Sequence, residues 1–85
     1  MASKKKKREQ VFQLMDLLLE DITVPRNVKR ALESAKEELN KEGEIKVRAG
    51  AAIYHLREVT EDVNLPFHAR AQIWQIMSLL EQLKA

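Results

Sequence analysis

Cysteine is missing altogether from this 85-residue chain. That excludes disulfide staples, thiolate metal sites and cysteine nucleophiles together. Glycine and proline occur only twice each, and neither Gly43 nor Gly50 belongs to a phosphate-binding loop. Aromatic residues make up 5% of the chain. Long apolar runs are missing as well. Gln13, Asp16 and the Glu20-Asp21 pair interrupt the apolar stretch that follows the basic start, so it does not read as a secretory signal. No segment approaches the roughly eighteen uninterrupted apolar residues of a membrane span. The expected address is the cytoplasm.

What is present is a chain with 45% apolar and 33% charged residues, enough for one globular core surrounded by solvated charge pairs. At this length folding buries only about 60–65% of the unfolded surface, so the core is modest. The net charge of +2 conceals an asymmetry. Lys4, Lys5, Lys6, Lys7 and Arg8 precede a remainder, from Gln10 onward, with ten basic and twelve acidic side chains. The basic character therefore belongs to the start, and the body is mildly acidic.

Four segments carry a helical period. Val11, Phe12, Met15, Leu18, Leu19 and Ile22 form one stripe, widened by Leu14 and Leu17; Val28, Ala31, Leu32, Ala35 and Leu39 form the second. Ala49, Ala52, Ile53, Leu56, Val59 and Val63 form the third, and Ala69, Ile73, Ile76, Met77, Leu80 and Leu83 the fourth. Each spacing is that of a helix with one buried face. Pro25 and Pro66 open helices, since a first turn has amides to spare, and they drive Val24 and Leu65 into extended geometry. Thr23 and Asn64 are positioned to cap the new helices. Gly43 is a candidate left-handed helix stop. Gly50 predicts close approach of another helix's backbone, or else a groove for a ligand or peptide.

The stretch EDITVPRNVKRAL from Glu20 returns as EDVNLPFHARAQI from Glu61, an offset of 41 residues. The offset pairs Asp21 with Asp62, Pro25 with Pro66 and Leu32 with Ile73. The sequence thus predicts an all-α fold, a four-helix bundle built from two tandem Pro-cornered helical hairpins. Residues 1–9 are expected as a flexible basic tail, and residues 10–85 as one four-helix domain. Hairpin one spans about 10–42 and hairpin two about 45–84.

The segments VPRNVKRA, VRAGAAIYHLREV, PFHARAQIW and LLEQLKA resemble a small archaeal family, the uncharacterised protein family zero-one-four-seven. The likeness runs from about Val11 to the end and leaves the basic tail outside. Where the family pattern has a second proline in the last corner, this chain has Phe67. The resemblance implies a four-helix bundle and assigns no catalytic or ligand-binding residue. DITVPRNVKRALESA bears a looser likeness to HEAT-type hairpins.

Several groups are candidates for function. Lys4, Lys5, Lys6, Lys7 and Arg8 could contact RNA or another polyanion, or simply solubilise the chain. His55, Glu58 and Asp62 share one helix face; a solvated face is the expectation, because bundle metal sites draw such ligands from several helices. The acid pairs Glu20-Asp21 and Glu61-Asp62 are expected to solvate loops or cap helices, and His68 to be a corner residue without a nucleophile beside it. Arg26, Lys29 and Arg30 are expected to pair with Asp21, Asp62 or Glu33 rather than to hold phosphate. Trp74, Tyr54, Phe67 and Leu79 either finish the core edge or form a patch for a partner protein or a second copy. No catalytic, cofactor-binding or metal-binding residue is expected, and an enzyme is not. Two functions stay open: a helical interaction or scaffold module, self-associating or not, and a nucleic-acid- or ribosome-associated factor using the basic start.

Overall fold

The computed structural model describes residues 3–85. These form helices α1 (Lys4–Glu20), α2 (Arg26–Asn40), α3 (Ile45–Arg57) and α4 (Phe67–Lys84), with a 3-10 turn, Glu58–Glu61, continuing α3. No strand occurs among the described residues. Each helix packs on two others: α1 and α3 each lie against α2 and α4, and the pairs α1–α3 and α2–α4 are diagonal. Chain neighbours are therefore neighbours in space, as short connections favour.

The buried side chains follow the predicted stripes. Val11, Met15 and Leu18 come from α1, and Val28, Leu32, Ala35 and Leu39 from α2. Ala49, Ala52, Ile53 and Leu56 come from α3, and Ala69, Ile73, Ile76, Leu80 and Leu83 from α4. The alternating three- and four-residue spacing in α2 and α4 is that of helices meeting along a seam. No polar or charged residue is buried among the described residues.

At the corners the stripes end differently from the sequence expectation. Ile22 and Val63 are 94% and 91% exposed, whereas Val24 and Leu65 are buried. Regular α-helix stops at Glu20 and at Arg57, so Ile22 and Val63 no longer follow the helical period. Val24 and Leu65, each directly before a proline that breaks the helical path, enter the core instead. Leu17, counted with the first stripe, is 59% exposed.

Three further expectations change. Lys4–Glu9 are helical and form the first turns of α1 rather than a flexible tail. Ser3 Oγ accepts the Lys6 amide at 3.2 Å and caps the helix, and lysine is itself a good helix former. Thr23 and Asn64 cap nothing: α2 and α4 begin at Pro25 and Pro66 without a side-chain cap. Gly50 faces no helix backbone, and a Cβ there would meet only Lys84 Cε, at 3.9 Å. Gly43 does have a positive φ, 118°, but it lies in the α2–α3 loop beyond the helix end at Asn40.

Candidate functional site

The two corners share one hydrogen-bond pattern. In the first, the Asp21 amide donates to Leu18 O at 3.2 Å, and the Val24 amide to Asp21 O at 3.2 Å. Asp21 Oδ1 accepts the Thr23 amide at 2.8 Å. In the second, the Asp62 amide donates to Val59 O at 3.1 Å, and the Leu65 amide to Asp62 O at 3.2 Å. Asp62 Oδ1 accepts the Asn64 amide at 2.8 Å. Both aspartates thus fold the chain back on their own backbone, a turn habit of short acidic side chains.

Their second oxygens reach across the molecule. His68 Nε2, from the start of α4, donates to Asp21 Oδ2 at 2.8 Å. Asn27 Nδ2, from the start of α2, donates to Asp62 Oδ2 at 2.6 Å. His68 is therefore a corner residue with a specific partner, and Asn27 is its equivalent in the repeat. Sequence reading missed Asn27, although applying the 41-residue offset to polar positions pairs it with His68. Arg70 completes the second corner by donating to Asp62 O at 2.8 Å.

These contacts lower the carboxyl pKa values. The Thr23 hydroxyl, followed by the His68 ring and the Thr23 amide, holds Asp21 at about 2. The Asn27 amide, then the Asn64 amide, lowers Asp62. The causes are hydrogen bonds to the charged form. The Thr23 hydroxyl, Asp21 and His68 invite comparison with a nucleophile and its base, but the wiring differs. The Thr23 hydroxyl gives its proton to Asp21 Oδ1, at 2.6 Å, while His68 Nε2 stands 3.5 Å from it. Hydroxyl activation needs the imidazole to receive that proton. This cluster fixes a corner.

A cleft of about 520 Å³ lies beside the second corner, lined by Asn27 and Ala31 of α2 and by Tyr54, His55, Glu58, Val59, Glu61 and Asp62. It gathers the sequence candidates His55, Glu58 and Asp62. Asp62 is committed to Asn27 and Asn64, and His55 lies 3.9 Å from Glu38. Among the described residues no group of three or more His, Asp or Glu side chains is arranged to hold a metal ion. Arg26, Lys29 and Arg30 form none of the ion pairs with Asp21, Asp62 or Glu33 that their spacing suggests; the described pairs are Lys36–Asp16, Lys41–Glu38, His55–Glu38 and His68–Asp21.

The apolar patch divides. Phe67 and Trp74 share the outer face of α4, with Ala71 between them, and are 75% and 52% exposed. Leu79 is half-buried and packs against the core, away from that face. Tyr54 belongs to α3, is exposed, and meets His55 edge-on with ring centroids 6.0 Å apart. The cations Lys4, Lys5, Lys6, Lys7 and Arg8 lie at the opposite end of the molecule from the corners, on the first turns of α1. No helix among the described residues is long and apolar enough to cross a membrane.

The fold and sequence have counterparts. The model of the uncharacterised protein family UPF0147 matches residues 1–83, so the matched region includes the basic start that the sequence reading left outside. A UPF0147 protein of Pyrococcus horikoshii is 44% identical, over 99% of this chain and 92% of its own length. One of Methanocaldococcus jannaschii is 49% identical, over 84% of this chain and 77% of its own. Among solved structures, that of unknown function protein MMP1188 superposes with a TM-score of 0.90 at 41% identity, covering 100% of this chain and 98% of its own. A UPF0147 structure from Thermoplasma acidophilum gives 0.88 at 32% identity, covering 94% and 95%.

Proposed function

The chain belongs to the uncharacterised protein family UPF0147, and on that premise we propose that it is a non-catalytic helical interaction module that pairs with a second copy of itself. The contact face is the outer side of α4. The observation that carries this reading is the exposure of Phe67 and Trp74 on one face, 75% and 52%, opposite the buried Ala69, Ile73, Ile76, Leu80 and Leu83. Exposed aromatics are the usual anchors of interfaces. Ala71 lies between them and lets a second helix approach. An antiparallel pairing about Ala71 sets Phe67 of each copy against Trp74 of the other, the self-complementary arrangement that two-fold dimers require. One helix face per subunit places the interface in the small, transient class.

Sedimentation velocity over a concentration series tests this. A monomer–dimer equilibrium that Trp74→Ala shifts to monomer, with the helical circular dichroism unchanged, is the expected result. A single monomeric species at every concentration overturns it.

A second reading is contact with nucleic acid through Lys4, Lys5, Lys6, Lys7 and Arg8. It is favoured by their place at the positive end of the α1 dipole, where cations are unfavourable unless an anion joins them. RNA binding that weakens with salt and is lost on removal of residues 1–8 is the expected result; binding indifferent to that truncation overturns it.

A further inference from the structure

The second reading can be narrowed to a site. Between the start of α1, the end of α2 and the start of α3, at the end of the molecule away from the corners, a cleft of about 340 Å³ is lined by Lys5, Arg8, Phe12, Asn40 and Arg48, with Leu39 and one acid, Glu9. We propose that this cleft binds a short stretch of single-stranded nucleic acid, with Lys5, Arg8 and Arg48 on successive phosphates and Phe12 against one base.

Four observations converge. First, three cations from two helices face one cavity, and none of them is in the described ion pairs. Second, α1 begins with five successive cations and no acid in its first turn, the reverse of what its dipole favours. Lys4 Nζ donates to Ala85 O at 3.1 Å, whereas Lys5 and Arg8 line the cleft, and a local rule broken in this way marks functional surface. Third, Arg48 is anchored: its Nη1 donates to Leu39 O at 2.7 Å. The Leu39 bond thus preorganises its guanidinium beside the cleft. Fourth, Phe12 is half-buried against the core, so the ring is held in place while still lining the cleft.

The chemistry selects the ligand. Cations alone would take any polyanion, but an aromatic ring beside them provides the stacking surface that single strands use and duplexes cannot reach. The volume is at the small end of ligand pockets and admits a nucleotide, not a helix. Asn40 adds an amide able to bond a base edge in either direction. Lys6 does not line the cleft, so it carries equal charge on the same helix and serves as an internal control.

The inference rests on the nucleic-acid reading, and the test separates the two. Fluorescence anisotropy of labelled oligouridylate and oligothymidylate is measured on the full chain at graded KCl, with inorganic polyphosphate as competitor. Three phosphate contacts on a single strand predict a log–log salt slope of roughly −2. Lys5→Gln and Arg8→Gln should each weaken binding ~3–10-fold and reduce the slope by about 0.7, while Lys6→Gln changes affinity less than twofold. Phe12→Leu should weaken both oligonucleotides and leave polyphosphate unaffected. Because that variant could perturb the core, ultraviolet cross-linking of the wild-type chain to oligouridylate is mapped in parallel, with adducts expected in the α1 peptide containing Phe12. Equal losses for Lys5, Lys6 and Arg8, or polyphosphate displacing the oligonucleotides charge for charge, would overturn the cleft while leaving the general polyanion reading standing. Absence of binding to every polyanion at low salt would sink both. A marked preference for the RNA or the DNA strand identifies which of them is the ligand.

Discussion

Asn27 reaches Asp62 at 2.6 Å, and the residues standing in the same repeat positions, His68 and Asp21, make the reciprocal bond at 2.8 Å. Each half of the chain contributes one acceptor and one donor to the joint between the corners. The aspartates are doubly used, with one oxygen closing the local turn and the other holding the opposite half.

This arrangement makes acid stability specific. The carboxyl of Asp21, held at about 2 against an ordinary 3.8, stabilises the fold above that ordinary value and loses its contribution as pH falls through about 2. Asp62 shifts in the same direction. A carboxyl-detected NMR titration should place the Asp21 midpoint near 2; a midpoint near 3.8 contradicts the corner geometry. Asp21→Asn should lower Tm at neutral pH and flatten the pH dependence between those limits.

Coupling across the joint is measurable by double-mutant cycle. Asn27→Ala and Asp62→Ala should be non-additive in thermal melts, whereas Asn27→Ala and Asp21→Ala, which share no bond, should add. Additivity in the first pair would mean the cross-molecule bond is not formed in solution.

The two glycines should respond with opposite signs. Gly43 has a φ of 118°, so Gly43→Ala should cost about 1–2 kcal/mol in urea unfolding. Gly50 is helical and a new Cβ there would only touch Lys84 Cε at an ordinary 3.9 Å, so Gly50→Ala should stabilise by about 0.5–1 kcal/mol. A destabilising Gly50→Ala would restore the close helix approach that the structure does not contain.

Burial separates residues that sequence alone places together. Leu32→Ala, at a fully buried position, should cost about 2–5 kcal/mol. Ile22→Thr and Val63→Thr, at nearly fully exposed ones, should stay within about 0.5 kcal/mol. Comparable losses at all three would return Ile22 and Val63 to the core.

The helical stripes were legible because a 3.6-residue period needs only sequence, and so was the 41-residue repeat. What the period could not convey was where it stops. Ile22 and Val63 fit the spacing, yet regular helix has ended before each, and with a proline three residues on in both corners Val24 and Leu65 turn inward instead. The basic start was misjudged for an electrostatic reason: cations oppose the dipole there, but the Ser3 cap and the helix propensity of lysine extend α1 to Lys4. The surface groups were the hardest. Trp74 and Leu79 are five residues apart on one helix, which rotates Leu79 towards the core and leaves Trp74 outside. The basic cleft needed Arg48, from another helix, to become visible.

The paired corners have a consequence for ancestry and for engineering. Since either half carries both an aspartate to receive and a side chain to give, a peptide containing one half alone would hold everything the joint requires. Two such peptides could close on each other about a dyad without a covalent link. The 85-residue molecule then has the logic of a dimer whose subunits have been strung on one thread, and cutting that thread in the Gly43 loop is the place where the least would be lost.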